Sequence, residues 1–505
     1  MSGTAAALVG FGAMLALIAI RMPVGLAMLV TGSIGFISYT SLPAYLSFMK
    51  TRPYTEFASF TLSVIPLFIL MGALAEKSGL STALFNAAAQ AFARVRGGLA
   101  MAVIGACTAF GAICGSSVAT TATFGRAALP ELLRFGYNGG FATGTIAVGG
   151  TLGILIPPSV ILVVYAITTE QNIAKLFMAA LIPGLLAATF YCIAIALIAR
   201  ASPEKAPLVE TRSVGGRHLA LSDMLVALTG VATIAAVLWF KPVPRLLLAR
   251  LPLGPLGTFE IALSTGLVAL AAVVLLLAWL ARRSDPLRSV LPVIAIAFVV
   301  VGGIYGGVFT PTEGAAVGAI AMLLLGLVQG TLDWPKIRGS LLQTAETTGM
   351  VFIILLGADL FDAFLARTQM PEHAAEWITG LGLSPYTVLV ALLVFYIVLG
   401  AVMDELAMLL LTLPVFFPII QKLNFGLPPE EVAIWFGILV LIVVGIGLTA
   451  PPIGLNVFVI SSIARGVPMP ETYRGVLPFI LMDILRLALV VLFPGLALWL
   501  VRLLS

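Results

Sequence analysis

Two stretches decide how this chain folds: Gly111-Ala112-Ile113-Cys114-Gly115-Ser116-Ser117 and Gly400-Ala401-Val402-Met403-Asp404-Glu405. Each puts small or charged residues midway through a long apolar run, the first over 97–134 and the second over 385–420. A polar break at that depth predicts a re-entrant helical hairpin. Non-helical backbone survives inside a bilayer only where protein buries it or a wet cavity receives it.

Downstream of each hairpin lies a second apolar run broken by a proline pair. The first, over 139–167, contains Gly153-Ile154-Leu155-Ile156-Pro157-Pro158. The second, over 432–460, contains Gly447-Leu448-Thr449-Ala450-Pro451-Pro452. Upstream, Arg21-Met22-Pro23-Val24-Gly25 faces Phe309-Thr310-Pro311-Thr312-Glu313-Gly314. Three matches in one order, at nearly one offset, predict a duplicated unit. The expected organisation is a first repeat over 1–200, a linker with two inserted helices over 201–288, and a second repeat over 289–505.

The 505 residues are 61% hydrophobic and 10% charged, with a mean hydropathy of +1.14. Soluble domains carry about 25% charged residues, so lipid must be the solvent for most of this surface. That excludes a soluble enzyme, a disordered chain and, despite the +5 net charge, a nucleic-acid binder. A helix needs about 20 apolar residues to cross, whereas a barrel strand shows about 10 alternating ones. Unbroken runs such as Val24–Tyr39 and Leu176–Ile198 fit helices, and Val476–Leu500 reads as one terminal span. The fold class expected is an all-α polytopic membrane protein of about 12 spans plus two hairpins.

With an odd span number per unit, most of the 27 Lys and Arg fall on one side, read as cytoplasmic, although the Lys241–Arg250 loop opposes this. The two units are then inverted. The first basic residue, Arg21, follows the apolar stretch, so no secretory leader is expected. Cys107, Cys114 and Cys192 read as small buried hydrophobes. His218 and His373 are far apart, and neither a transition-metal site nor a cofactor is expected.

Inverted repeats with broken helices describe a secondary transporter whose site lies near the midplane. Proline lacks an N–H, so Pro157 and Pro158 free the carbonyls of Gly153 and Ile154. Pro451 and Pro452 do the same for Gly447 and Leu448. Carbonyls freed in a dry site suit a bare Na⁺, and a helix N-terminus at each tip favours an anion. The ion-binding candidates are therefore Ser116, Ser117, Gly153, Ile154, Asp404, Gly447, Leu448 and Thr449. The substrate-binding candidates are Ser117, Thr120, Pro157, Pro158, Ser159, Glu405, Pro451, Pro452 and Asn456. Together they suit cation-coupled uptake of an organic anion. Plainer readings stand beside these. Proline pairs also kink helices, serines also allow close packing, and Glu405 also favours a helix N-terminus. Thr312-Glu313 reads as a helix start, Asp359 and Asp362 as solvated residues at a span end, and Arg126 either pairs a carboxylate or snorkels.

Several motifs resemble the large membrane (M) subunit of tripartite ATP-independent periplasmic (TRAP) transporters. They are Ile65-Pro66-Leu67-Phe68-Ile69-Leu70-Met71-Gly72, Gly115-Ser116-Ser117-Val118-Ala119-Thr120 and Gly303-Ile304-Tyr305-Gly306-Gly307-Val308-Phe309-Thr310-Pro311-Thr312-Glu313. Ala450-Pro451-Pro452-Ile453-Gly454-Leu455-Asn456-Val457-Phe458 and Arg474-Gly475-Val476-Leu477-Pro478-Phe479 extend the match over most of the chain. The resemblance implies an elevator-type, usually Na⁺-driven importer in the bacterial inner membrane, and not an enzyme. It implies two partners, a small membrane subunit of about four helices and a periplasmic substrate-binding protein that delivers a carboxylate. This chain departs from the pattern in three places. Residues 220–288 resemble an added two-helix insertion. Ala450 stands where the family often has Thr, and Glu405 where it more often has a small, proline or aromatic residue.

The competing readings are separable. A stand-alone elevator symporter for dicarboxylate or citrate needs no binding protein. An intramembrane enzyme needs a zinc motif or a catalytic pair, and HExxH is absent. A channel needs no pair of matched breaks.

Overall fold

The computed structural model describes residues 3–92, 95–208 and 285–504, with backbone alone for 285–289. The expected inserted helices, Leu225–Phe240 and Phe259–Ala281, with His218, lie outside the described residues. The described residues form an all-helical chain. Six helices are long and apolar enough to cross a membrane, or up to eight if each sharply bent pair is one span. Shorter apolar helices of 10–17 residues accompany them.

Both polar breaks interrupt helices as the sequence suggests. Gly98–Cys114 and Ser117–Ala127 form the arms of the first hairpin, and Pro385–Gly400 and Glu405–Lys422 those of the second. The first proline pair separates Gly139–Leu155 from Val160–Thr168 with a 43° bend. The second separates Pro429–Gly447 from Leu455–Ile463. Both Pro–Pro peptide bonds are cis.

Two groups of helices emerge from the packing. An inner body gathers the first hairpin, both broken spans and Met469–Leu492. A frame gathers Val24–Tyr39, Val64–Lys77, Pro311–Val328 and the 35-residue Trp334–Thr368. The cores of the broken spans are the most enclosed elements. Every residue from Gly140 to Leu155 and from Val432 to Gly447 is buried. A helix apolar on all sides belongs in such a centre. Outward faces carry Leu26, Val30 and Ile34, or Val317, Ile320 and Leu324, the side chains expected against acyl chains.

Lipid tails are as apolar as leucine, so helices associate through close packing rather than through a hydrophobic drive. Glycine supplies the closest approaches. A Cβ on Gly111 would stand 2.8 Å from the Leu152 carbonyl oxygen and 3.1 Å from Gly153 Cα. In the other half, a Cβ on Gly447 would stand 2.7 Å from Gly400 Cα. Each hairpin thus lies backbone-to-backbone on the end of its own broken span.

The structure also revises several sequence expectations. Leu42–Phe57, which carries Lys50, Arg52 and Pro53 and is not among the expected spans, is a helix capped by Ser41. Asp359 and Asp362 lie inside the Trp334–Thr368 helix rather than at a solvated span end, and Asp359 takes a bidentate Arg52 at 2.6 Å. The terminal run Val476–Leu500 is not one span. It breaks at Phe493-Pro494, because proline cannot continue the hydrogen-bond ladder, and restarts at Gly495. Thr310 and Glu313 do form the helix start expected there, as a reciprocal capping box.

Candidate functional site

The first tip is built by Gly115, whose φ of +63° turns the chain out of one arm. A Cβ there would stand 2.8 Å from the Pro158 carbonyl oxygen, so glycine also lets the tip rest on the first proline break. Ser116 follows as N-cap, its Oγ accepting from the Ala119 N–H at 3.4 Å. At the second tip Asp404 is the N-cap. Its Oδ2 accepts from the Leu406 N–H at 3.2 Å and the Ala407 N–H at 3.4 Å. Glu405, one residue on, is only 7% exposed, and its buried Oε2 has no hydrogen-bond partner among the described residues.

Both tips enter one cavity of about 420 Å³. Cys114, Gly115 and Ser116 line it from the first, Asp404, Glu405 and Leu406 from the second. The frame also lines it, with Gly72 and Glu76 from one helix and Gln343 and Thr347 from another. Glu76 is held from both groups: Arg126 on the first hairpin donates to Oε1 at 2.9 Å, and Gln343 on the frame donates to Oε2 at 3.3 Å.

Behind the first tip a polar cluster joins the two halves of the chain. Asn456, on the second broken span, donates from Nδ2 to Ser117 Oγ at 2.7 Å and to the Ala147 carbonyl at 3.0 Å. Among the described residues its Oδ1 has no hydrogen-bond partner, and neither does the buried Ser159 hydroxyl on the first broken span. Thr120 donates to the Ser116 carbonyl at 2.7 Å and packs on Gly153. Gly153 and Ile154 precede Pro157 and Pro158 by four residues and so take no helical hydrogen bond.

The second break differs from what its prolines suggest. The Leu448 carbonyl accepts from the Asn456 N–H at 2.9 Å, and the Gly447 carbonyl from the Ala450 N–H at 3.2 Å. The chain turns back on itself and supplies the partners that were expected to be missing. The Thr449 hydroxyl folds onto Gly445 and Ile446 of its own helix. Pro157, Pro158 and Ser159 are buried beside the first tip, whereas Pro451 and Pro452 are exposed.

The sequence reading missed Glu76, Gln343 and Thr347. A carboxylate two residues past an apolar run is the signal for Glu76, since ionisable groups near membrane segments mark sites by default. It also left Arg486 without a role. That guanidinium is fully buried and pairs with Asp483 at 2.8 Å, and Tyr191 donates to the same carboxylate at 2.7 Å.

The family model described as "Tripartite ATP-independent periplasmic transporter, DctM component" matches residues 11–496. The C4-dicarboxylate TRAP transporter large permease protein DctM of Pseudomonas aeruginosa is 32% identical, over 87% of this chain and 86% of that protein. The sialic acid TRAP transporter large permease protein SiaM of Vibrio cholerae is 27% identical, over 94% and 93%. Among solved structures, the YdaH transporter of Alcanivorax borkumensis shares the fold with a TM-score of 0.51 at 17% identity, over 90% of this chain and 89% of that one.

Proposed function

The chain belongs to the DctM family of tripartite ATP-independent periplasmic transporters, and we propose that it imports a carboxylate by moving its inner body past the frame, driven by Na⁺. It is a multi-pass membrane transporter subunit for organic acids and not an enzyme. In the proposed assembly it sits in the bacterial inner membrane beside a small four-helix subunit. It receives cargo from a periplasmic binding protein, as the tripartite family description suggests.

The observation that carries this reading is one cavity lined by both hairpin tips and by the frame. Cargo bound there touches both groups of helices, so sliding one past the other changes the side to which it opens. A duplicated, inverted unit is supported by the paired glycine approaches, Gly111 on Gly153 and Gly400 on Gly447. For the coupling ion, the supporting atom is Asn456 Oδ1, which has no partner among the described residues and sits on a side chain bonded to Ser117. Buried oxygens without partners are costly, and a small cation relieves that cost. The second break, whose carbonyls have backbone partners, supports such a role less.

Uptake into proteoliposomes holding both membrane subunits tests the proposal, with the binding protein and an inward Na⁺ gradient each supplied or withheld. Accumulation is expected only when both are present. Uptake of free substrate without the binding protein would favour a stand-alone symporter instead.

A further inference from the structure

The cavity between the tips has an unbalanced charge. Three carboxylates line it, Glu76, Asp404 and Glu405, and among the described residues no Lys or Arg does. Two of the three are already accounted for. Glu76 holds Arg126 and Gln343, and Asp404 accepts from two backbone amides at a helix N-terminus. Among the described residues Glu405 has neither cation nor donor; it is more than nine-tenths buried and lines the space the cargo must enter. An ionised carboxylate in that position repels a simple anion and stands uncompensated unless a cation comes to it. At the first tip the chemistry is reversed. The Ser117–Ala127 helix starts there, and Gly115, Ser116 and Val118 line the cavity with no acidic side chain among them. Helix-start amides favour a carboxylate.

On the carrier reading above, we propose that the cargo is a zwitterion, with its carboxylate at the first tip and a cationic nitrogen against Glu405. One small molecule then balances both ends of the cavity. A volume of about 420 Å³ suits a compact amino-acid-like or betaine-like solute. Glu405 acts as the specificity determinant, since a nitrogen-free acid leaves it buried and alone.

The test uses the full chain in lipid nanodiscs and isosteric probe pairs that differ only in the nitrogen. The pairs are glycine betaine with 3,3-dimethylbutyrate, L-proline with cyclopentanecarboxylate, and 4-aminobutyrate with valerate, each titrated by thermal stabilisation. In at least one pair the zwitterion is expected to bind about tenfold more tightly, the worth of one charge-assisted contact. Glu405→Gln should bring that ratio to within about threefold, and Glu405→Asp, which keeps the charge, should retain the preference. The inference is overturned if no zwitterion outdoes its matched acid, including the case where none stabilises the protein. It is also overturned if the preference survives Glu405→Gln, or if a folded Glu405→Asp loses it. A Glu405 that instead carries a proton or holds Na⁺ would show the first of these results. Na⁺-driven uptake of a nitrogen-free acid would sink the zwitterion while leaving the carrier reading intact. Failure of uptake for every solute would sink the carrier reading alone.

Discussion

At the second tip one position of register separates a cap from a cavity carboxylate. Asp404 turns back onto the Leu406 and Ala407 amides, while Glu405 begins the helix and faces inward. The sequence marks both as acids at a membrane break but does not say which is which, because the N-cap position depends on a single backbone torsion. The consequence is measurable. Asp404→Asn preserves the cap and should cost a few tenths of a kcal/mol, whereas Asp404→Ala should lower stability by about 1 kcal/mol. Thermal unfolding in detergent distinguishes them, and equal losses would show that Asp404 does not act mainly as a cap. The Asp483–Arg486 pair makes a harsher prediction, since neither side chain reaches solvent. Asp483→Ala leaves a buried guanidinium without its counter-ion and should cost about 3–5 kcal/mol, while replacing both partners by apolar residues of similar volume should cost far less. A double variant as unstable as the single one would refute this.

Elements that are apolar throughout were legible, and elements with a polar face were not. Helices are interrupted at both polar breaks and at both proline pairs, where the sequence places them, since a bilayer permits few alternatives for such residues. Leu42–Phe57, and the turns of Trp334–Thr368 that precede Met350, carry charges on their surfaces and so resemble loops in sequence. The fate of the second break was hidden for another reason. Whether the Leu448 carbonyl is free depends on where Asn456 returns in space, not on the prolines between them. The contact of hairpin with broken span gives an asymmetric prediction. A methyl on Gly447 meets Gly400 Cα at 2.7 Å, whereas a methyl on Gly400 meets its nearest neighbours at 3.4 Å. Gly447→Ala should therefore destabilise by about 1–3 kcal/mol through overpacking, and Gly400→Ala by clearly less. Comparing the two melting midpoints checks the order, and a larger loss for Gly400→Ala would mean that the two backbones do not approach as described.

Across the whole molecule, the Arg126–Glu76 contact joins the inner body to the frame at the edge of the cavity. Arg126 is 59% exposed, and pairs of that kind contribute about 0–1 kcal/mol, so the contact holds the groups together only weakly. The groups also meet where Gly72 of the frame lies against Cys114, a Cβ on Gly72 standing 3.0 Å from Cys114 Cα, and sliding has to break that contact. If cargo crosses by relative sliding, distances inside a group stay constant and distances between groups change. Spin labels on Leu133 and Ser462 report on the inner body, and labels on Arg338 and Arg367 report on the two ends of the longest frame helix. The labelled chain would first have Cys107, Cys114 and Cys192 replaced by serine, with retained uptake as the check on folding. Pulsed distance measurements with and without Na⁺ and cargo should then leave the Leu133–Ser462 and Arg338–Arg367 distances unchanged. The cross-group distances should shift by at least one helical turn, about 5 Å. The two frame labels should move oppositely relative to Ser462, one approaching as the other recedes, because a body sliding along the long helix nears one end and leaves the other. Cross-group distances that stay fixed in a transporting protein would rule out rigid-body sliding and leave local opening of the hairpin tips as the way cargo passes.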